Sequence, residues 1–213
     1  MVEAPPPPRV FGLPPHPLTT FTPTPIAQVG VSQVNRQDLA GWSSEGGPSY
    51  YALLGQPGWS RGPISPHPDY FTALIWKQLV GARVLKSTLA GEDPSVNATV
   101  DAHVWCGRGG FPVVTFFNAG GGSVALQLPA GVPAAPRAEF VLTSGAAGSN
   151  PATLTGDAIY LNGALLSADA AGTLSPPFPF SGRAVAAGGI VLPPLSYGFL
   201  VLEGAAAAAC VAA

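Results

Sequence analysis

Charge is scarce in this chain. Only 9 Lys and Arg and 11 Asp and Glu occur in 213 residues, and the formal net charge is −2. The densest basic pair, Arg83 and Lys86, offers no electrostatic footprint for a phosphate backbone, so no nucleic-acid partner is expected. Long apolar runs are missing too. The best one, Leu195 to Ala213, is broken by Glu203 and Gly204, and no transmembrane helix is expected. The N-terminus shows neither the cationic start nor the apolar core of a secretory signal. Histidine is rare, and His16, His67 and His103 lie on separate elements without metal-ligand spacing, so no metal and no cofactor is predicted. There is no G-x-S-x-G string, and Gly120-Gly121-Gly122 leads into a strand rather than a helix, which makes it a turn and not a phosphate cradle. Two cysteines, Cys106 and Cys210, are too few to read as a disulfide scaffold by counting.

Glycine and proline, by contrast, are abundant: 27 Gly and 25 Pro make up roughly a quarter of the chain, about twice ordinary usage. A mostly helical fold is therefore not expected. The 47% hydrophobic content argues equally against a fully disordered chain, because disorder pairs low hydrophobicity with high charge. Residues 1–28 are dense in proline, with an unbroken run from Pro5 to Pro8, and are predicted to form a disordered, polyproline-like arm. Residues 29–39 read as a short buried strand with polar residues at its far end. A helix is predicted after Pro66, Pro68 and Asp69, with Phe71, Leu74, Ile75 and Leu79 at helical spacing and Gly81 placed to end it.

Beyond Val84 the period changes to two. Val100, Ala102, Val104 and Cys106 share one face of a predicted half-buried strand, and Thr99, Asp101, His103 and Trp105 share the other. Comparable runs occur at 83–89, 112–118, 124–128, 138–143, 158–165 and 195–202, punctuated by glycine-rich turns. Such spacing predicts an antiparallel β-sandwich. Asn162-Gly163 between Leu161 and Leu165 is the strongest hairpin signal.

Several strings resemble heparanase-like glycoside hydrolases (family 79), and the resemblance covers roughly residues 31–211. Pro66-His67-Pro68-Asp69-Tyr70 with Leu79, Gly81, Val84 and Leu85 is similar to the helix and strand that end the family's catalytic barrel. Arg36-Gln37 with Leu39 and Gly41 is similar to its last barrel strand, Leu161-Asn162-Gly163 to its L-N-G hairpin, and Leu192 to Leu202 to its closing strand. The resemblance implies a mainly β chain in three parts: the arm, 1–28; a remnant of the last β/α unit of a (β/α)8 barrel, 29–82; and a C-terminal β-sandwich, 83–213. It also implies endo-β-glucuronidase-type hydrolysis of uronate-containing polysaccharides or proteoglycans, with the rest of the barrel as a further partner, and an extracellular or membrane-associated location.

Retaining hydrolysis needs two carboxyl groups about 5 Å apart, one as acid and one as nucleophile. The W-x-G-E-type context of the family nucleophile has no counterpart here, and the glutamates are only Glu3, Glu45, Glu92, Glu139 and Glu203. No catalytic residue is assigned, and the chain is expected to be inactive alone; Glu45, in a Gly- and Ser-rich loop, reads as a solvated acid. Ser49-Tyr50-Tyr51 is similar to the family's G-N-Y string, with Ser and Tyr in place of Gly and Asn, which makes Tyr51 the candidate substrate-binding residue; the other reading has both tyrosines packing the barrel end on the sandwich. By resemblance Cys106 and Cys210 match the two ends of a family disulfide, the alternative being two buried thiols. Asn97-Ala98-Thr99 is an N-glycosylation sequon, and Asn97 the candidate glycoprotein site. The rival function is a non-catalytic β-sandwich module for carbohydrate or protein association.

Overall fold

A computed structural model describes residues 38–40, 52–55, 65–87, 99–128, 136–145, 158–205 and 208–211. The Pro-rich arm lies outside these residues. Strand β1 (Asp38–Ala40) runs parallel to β2 (Ala52–Gly55), with Asp38 opposite Ala52 and Ala40 opposite Leu54, and β3 (Ser65–Pro66) pairs antiparallel with β2.

Helix α1 (Pro68–Leu79) follows. Proline at its first position has φ preset for a helix and no N–H to leave unpaired, Asp69 meets the positive end of the helix dipole and Lys77 the negative end. Phe71, Thr72 and Ile75 form the buried face. The chain leaves the helix directly into β4 (Val80–Leu85), Val80 already being extended while its N–H still donates to the Trp76 carbonyl. Gly81 thus sits where a helix-stopping glycine belongs but serves another purpose. A Cβ there would lie 2.6 Å from the Cys106 carbonyl oxygen, so the missing side chain lets β4 cross its neighbour at the register shift between Val80 and Val84.

The remaining strands are β5 (Val100–Gly107), β6 (Pro112–Asn118), β7 (Val124–Leu126), β8 (Arg137–Thr143), β9 (Ile159–Leu161), β10 (Ala164–Ala168), β11 (Leu174–Ser175), β12 (Arg183–Val185), β13 (Ile190–Leu192) and β14 (Ser196–Val201). Nine of the strands form one antiparallel sheet in the order β11-β10-β9-β8-β14-β6-β5-β4, with β12 alongside β8. β13 and β7 make a separate two-stranded ribbon. The described protein is mainly β and antiparallel, as expected.

Both faces of the large sheet are covered. On one, Phe71 and Ile75 of α1 pack on Trp105, Val113, Phe140, Leu142 and Phe199. On the other, Ile190 and Leu192 of the ribbon pack on Val114, Phe116, Val141 and Leu200. The strict in-out alternation expected of a strand with one wet face therefore fails in the central strands: β6 is buried at both odd and even positions from Pro112 to Phe116. Trp105 is buried against α1, edge-on to Trp76 with centroids 5.0 Å apart.

Two asparagines tie the connections down. Asn118, fully buried at the end of β6, accepts from the Gly120 N–H (3.0 Å) and donates to the carbonyls of Gly122 (2.9 Å) and Pro193 (2.8 Å), joining the glycine turn to the approach of β14. Asn162 and Gly163 both have positive φ, 50° and 87°, the left-handed pair that a two-residue hairpin between β9 and β10 requires.

Candidate functional site

Of the residues singled out from sequence, Tyr51, Asn97 and Glu45 lie outside the described residues, as does the Arg36-Gln37 string. Cys106 and Cys210 are joined in a disulfide, with Cα atoms 5.1 Å apart and 104 positions between them in sequence. The bond fixes the short terminal helix α2 (Ala208–Val211) to β5, and the Arg83 guanidinium on β4 donates to the Ala209 carbonyl in the same tail.

The polar chemistry near the first three strands collects around the start of α1. The His67 backbone N–H donates to the Leu53 carbonyl (2.9 Å), and its imidazole lies so close over Gly55 that a Cβ there would sit 2.5 Å from the ring nitrogen. One turn into the helix, Thr72 Oγ1 donates to the Pro68 carbonyl (3.1 Å) and shares a 3.0 Å hydrogen bond with the Tyr197 hydroxyl from β14. Asp69 and Thr72 are both buried. Burial drives the Tyr197 phenol far above its ordinary value; the Thr72 hydrogen bond works against this shift and the Asp69 charge adds to it. Tyr197 is consequently a neutral hydroxyl and holds the helix to the sheet. Asp69 is legible in the sequence as a helix-start residue, but nothing local announces that Thr72, three positions on, finds a partner 125 positions away.

The two described glutamates are occupied elsewhere or open to solvent. Glu139 accepts from Arg137 Nε (2.7 Å) and from Arg183 Nη2 (2.5 Å), while Arg137 also donates to the Gly188 and Gly189 carbonyls, so the carboxylate pins β12 and the following turn to β8. Glu203 is exposed on a turn after β14. Among the described residues no group of three or more His, Cys, Asp and Glu is placed to hold a metal. Among them no helix is long and apolar enough to cross a membrane.

On β5 the Asp101 Oδ2 and His103 Nε2 atoms lie 3.0 Å apart, Asp101 being about half exposed and His103 mostly covered. The His103 hydrogen bond, offset in part by burial, holds the Asp101 carboxyl below its ordinary value. A depressed folded value means that Asp101 stabilises the protein above its unfolded pKa and that the gain is lost as pH falls through the folded one. Asp101→Asn is expected to lower stability near neutral pH by well under about 1 kcal/mol, since solvent screens the exposed partner. Urea unfolding curves of the variant and the parent should converge in strong acid; a gap that persists there would show that the carboxylate charge is not its source.

No protein-family profile matches the chain. It is 31% identical over 124 residues to the baicalin-β-D-glucuronidase of Scutellaria baicalensis, a match covering 58% of this chain and 21% of that protein. It is 29% identical over 194 residues to the heparanase of Mus musculus, covering 87% of this chain and 32% of that protein. The chain thus spans between a fifth and a third of the length of these curated relatives. The likeness, weak and partial, is to the heparanase-like glycoside hydrolases.

Proposed function

We propose that this chain supplies the β-rich portion of a heparanase-like glycoside hydrolase acting on glucuronide linkages, and that it does not itself supply the catalytic acid and nucleophile. The observation that carries the first half is similarity over 87% of the chain to a heparanase and over 58% to a glucuronidase. For the second half the support is chemical. Glycoside hydrolysis with retention requires two carboxyls about 5 Å apart on rigid supports, and of the two described glutamates Glu139 is locked between two arginines while Glu203 is exposed on a turn.

In this reading residues 29–82 are the last β/α unit of a barrel and 83–213 the appended β-sandwich. The parallel β1–β2 pair ahead of β3 and α1 supports that division, because parallel pairing belongs to α/β architecture while the large sheet beyond is wholly antiparallel. Tyr51 would contact the uronate, Asn97 would carry a glycan, and the protein would work outside the cell or at a membrane on uronate-containing polysaccharide or proteoglycan.

Incubating the purified chain with an aryl β-D-glucuronide tests the assignment. The expected result is release of aryl alcohol no faster than in buffer alone; turnover abolished by Glu45→Gln would overturn the claim that the chain holds no catalytic carboxylate.

A further inference from the structure

Asn162-Gly163 is the single Asn-Gly pair in the sequence; the other asparagines, Asn35, Asn97, Asn118 and Asn150, precede Arg, Ala, Ala and Pro. Glycine leaves the following backbone nitrogen unshielded by a Cβ. Once that nitrogen loses its proton it can attack the asparagine Cγ: a new C–N bond closes a cyclic imide, the Cγ–Nδ2 bond breaks, and the nitrogen leaves as ammonia. Water then opens the imide at either carbonyl, giving aspartate or isoaspartate. No oxidant or cofactor is needed.

The fold opposes that reaction at this position. Asn162 Oδ1 accepts from the Val141 N–H (3.0 Å), its Nδ2 donates to the Glu139 carbonyl (2.8 Å), and its own backbone N–H donates to the Val141 carbonyl (2.8 Å). The side chain thereby fills a gap in one ladder. β9 pairs with β8 at Leu142 and Thr143, β12 pairs with β8 from Arg137 to Glu139, and Asn162 serves the backbone between them. Bringing Cγ onto the Gly163 nitrogen means breaking both carboxamide bonds and lifting the side chain off the β8 edge.

We infer that Asn162-Gly163 is a latent deamidation site, held shut by the folded β8–β9 junction and irreversible in its effect once used. Aspartate at this position has no donor for the Glu139 carbonyl and sets two oxygens against each other, while isoaspartate inserts an extra backbone carbon into a turn that needs two left-handed residues. Either product loosens the β9–β10 hairpin from β8, so the modification records that the hairpin has opened.

Peptide mapping of segment 158–168, with isoaspartyl methyltransferase labelling, tests this on the intact chain aged in buffer and in concentrated urea at the same alkaline pH. Conversion is expected to run at least about tenfold faster in urea, the factor that an opening free energy of about 1.4 kcal/mol provides. Equal rates would overturn the protective role, and an unfolded chain that stays unconverted at Asn162 would overturn the site. Asn162→Asp should also speed amide exchange in residues 159–161 and 164–166 relative to the parent, whereas Asn150→Asp should not; an unchanged Asn162→Asp hairpin would refute the loosening.

Discussion

Gly198→Ala is expected to cost about 4 kcal/mol or more, enough to deplete the soluble folded protein altogether. Gly198 sits in the middle of β14, which is the strand between β6 and β8, opposite Phe116 on one side and Val141 on the other. A Cβ there would overlap the Phe140 carbonyl oxygen and come within 3.2 Å of the Phe116 ring. The ring is a side chain and can turn aside. The carbonyl cannot, because β8 is held by β14 on one edge and by β9 and β12 on the other, so relief requires parting the sheet at its centre. Gly121→Ala and Gly188→Ala, where nothing lies within 4 Å of the added carbon, are the matched controls and should stay within about 0.5 kcal/mol of the parent. Soluble yield and urea unfolding decide it: a Gly198→Ala chain within about 1 kcal/mol of the parent would show that β14 and β8 are not locked at this contact.

Gly198 also marks where local pattern stops being informative. The run Leu195 to Leu202 reads as a strand from its apolar content, and β14 occupies Ser196–Val201, but a glycine inside a strand says only that something approaches closely. Which atom approaches is fixed by β8, more than fifty positions away. The elements that could be read were those whose signals are local: the 112–118 strand coincides with β6, the Asn162-Gly163 turn joins β9 to β10, and the proline-led helix starts at Pro68. Leu195, expected to open the last strand, instead takes φ 48° and turns the chain, its N–H donating to the Gly120 carbonyl. A left-handed leucine costs roughly 1 kcal/mol and is held there by tertiary contacts that no propensity encodes.

Short strands escaped for a related reason. β11, β12 and β13 have two or three residues each, too few for a period, and they exist because neighbours hold them: Glu139 draws Arg183 onto β8, and the hydrophobic face under the ribbon takes Ile190 and Leu192. Of the candidate site, the helix start at Pro68 and Asp69 was legible, because its signal is local. Five glutamates can each be located in sequence, and the two described ones stand where side-chain chemistry gives them a structural or solvated place. The Asp69, Thr72 and Tyr197 group was illegible, since it is assembled from a helix and a strand more than a hundred positions apart in sequence.

Removing the Cys106–Cys210 bond is expected to cost about 4 to 5 kcal/mol in the loop-entropy account, because the bond closes a loop of 104 positions and longer loops gain most. For a chain of this size each kcal/mol moves the midpoint by about 2–4 °C, so Cys106→Ala with Cys210→Ser should lower Tm by roughly 8–20 °C, and dithiothreitol should do the same to the parent but nothing further to the variant. The competing outcome has a definite structural basis. The helix α2 is four residues long, and among the described residues its polar tie is the Arg83 contact to the Ala209 carbonyl. If the reduced tail simply detaches while the sheet stays intact, the folded state regains part of the entropy released to the unfolded one. The loss then falls toward about 1 kcal/mol, confined to tail fraying. Hydrogen exchange separates the two. Faster exchange throughout β5, β6 and β14 means that the bond stabilises the whole sheet, and faster exchange in 208–211 alone means that it only moors the tail. The loop length and the burial of Cys106 in β5, whose carbonyl also packs against Gly81 of β4, favour the first.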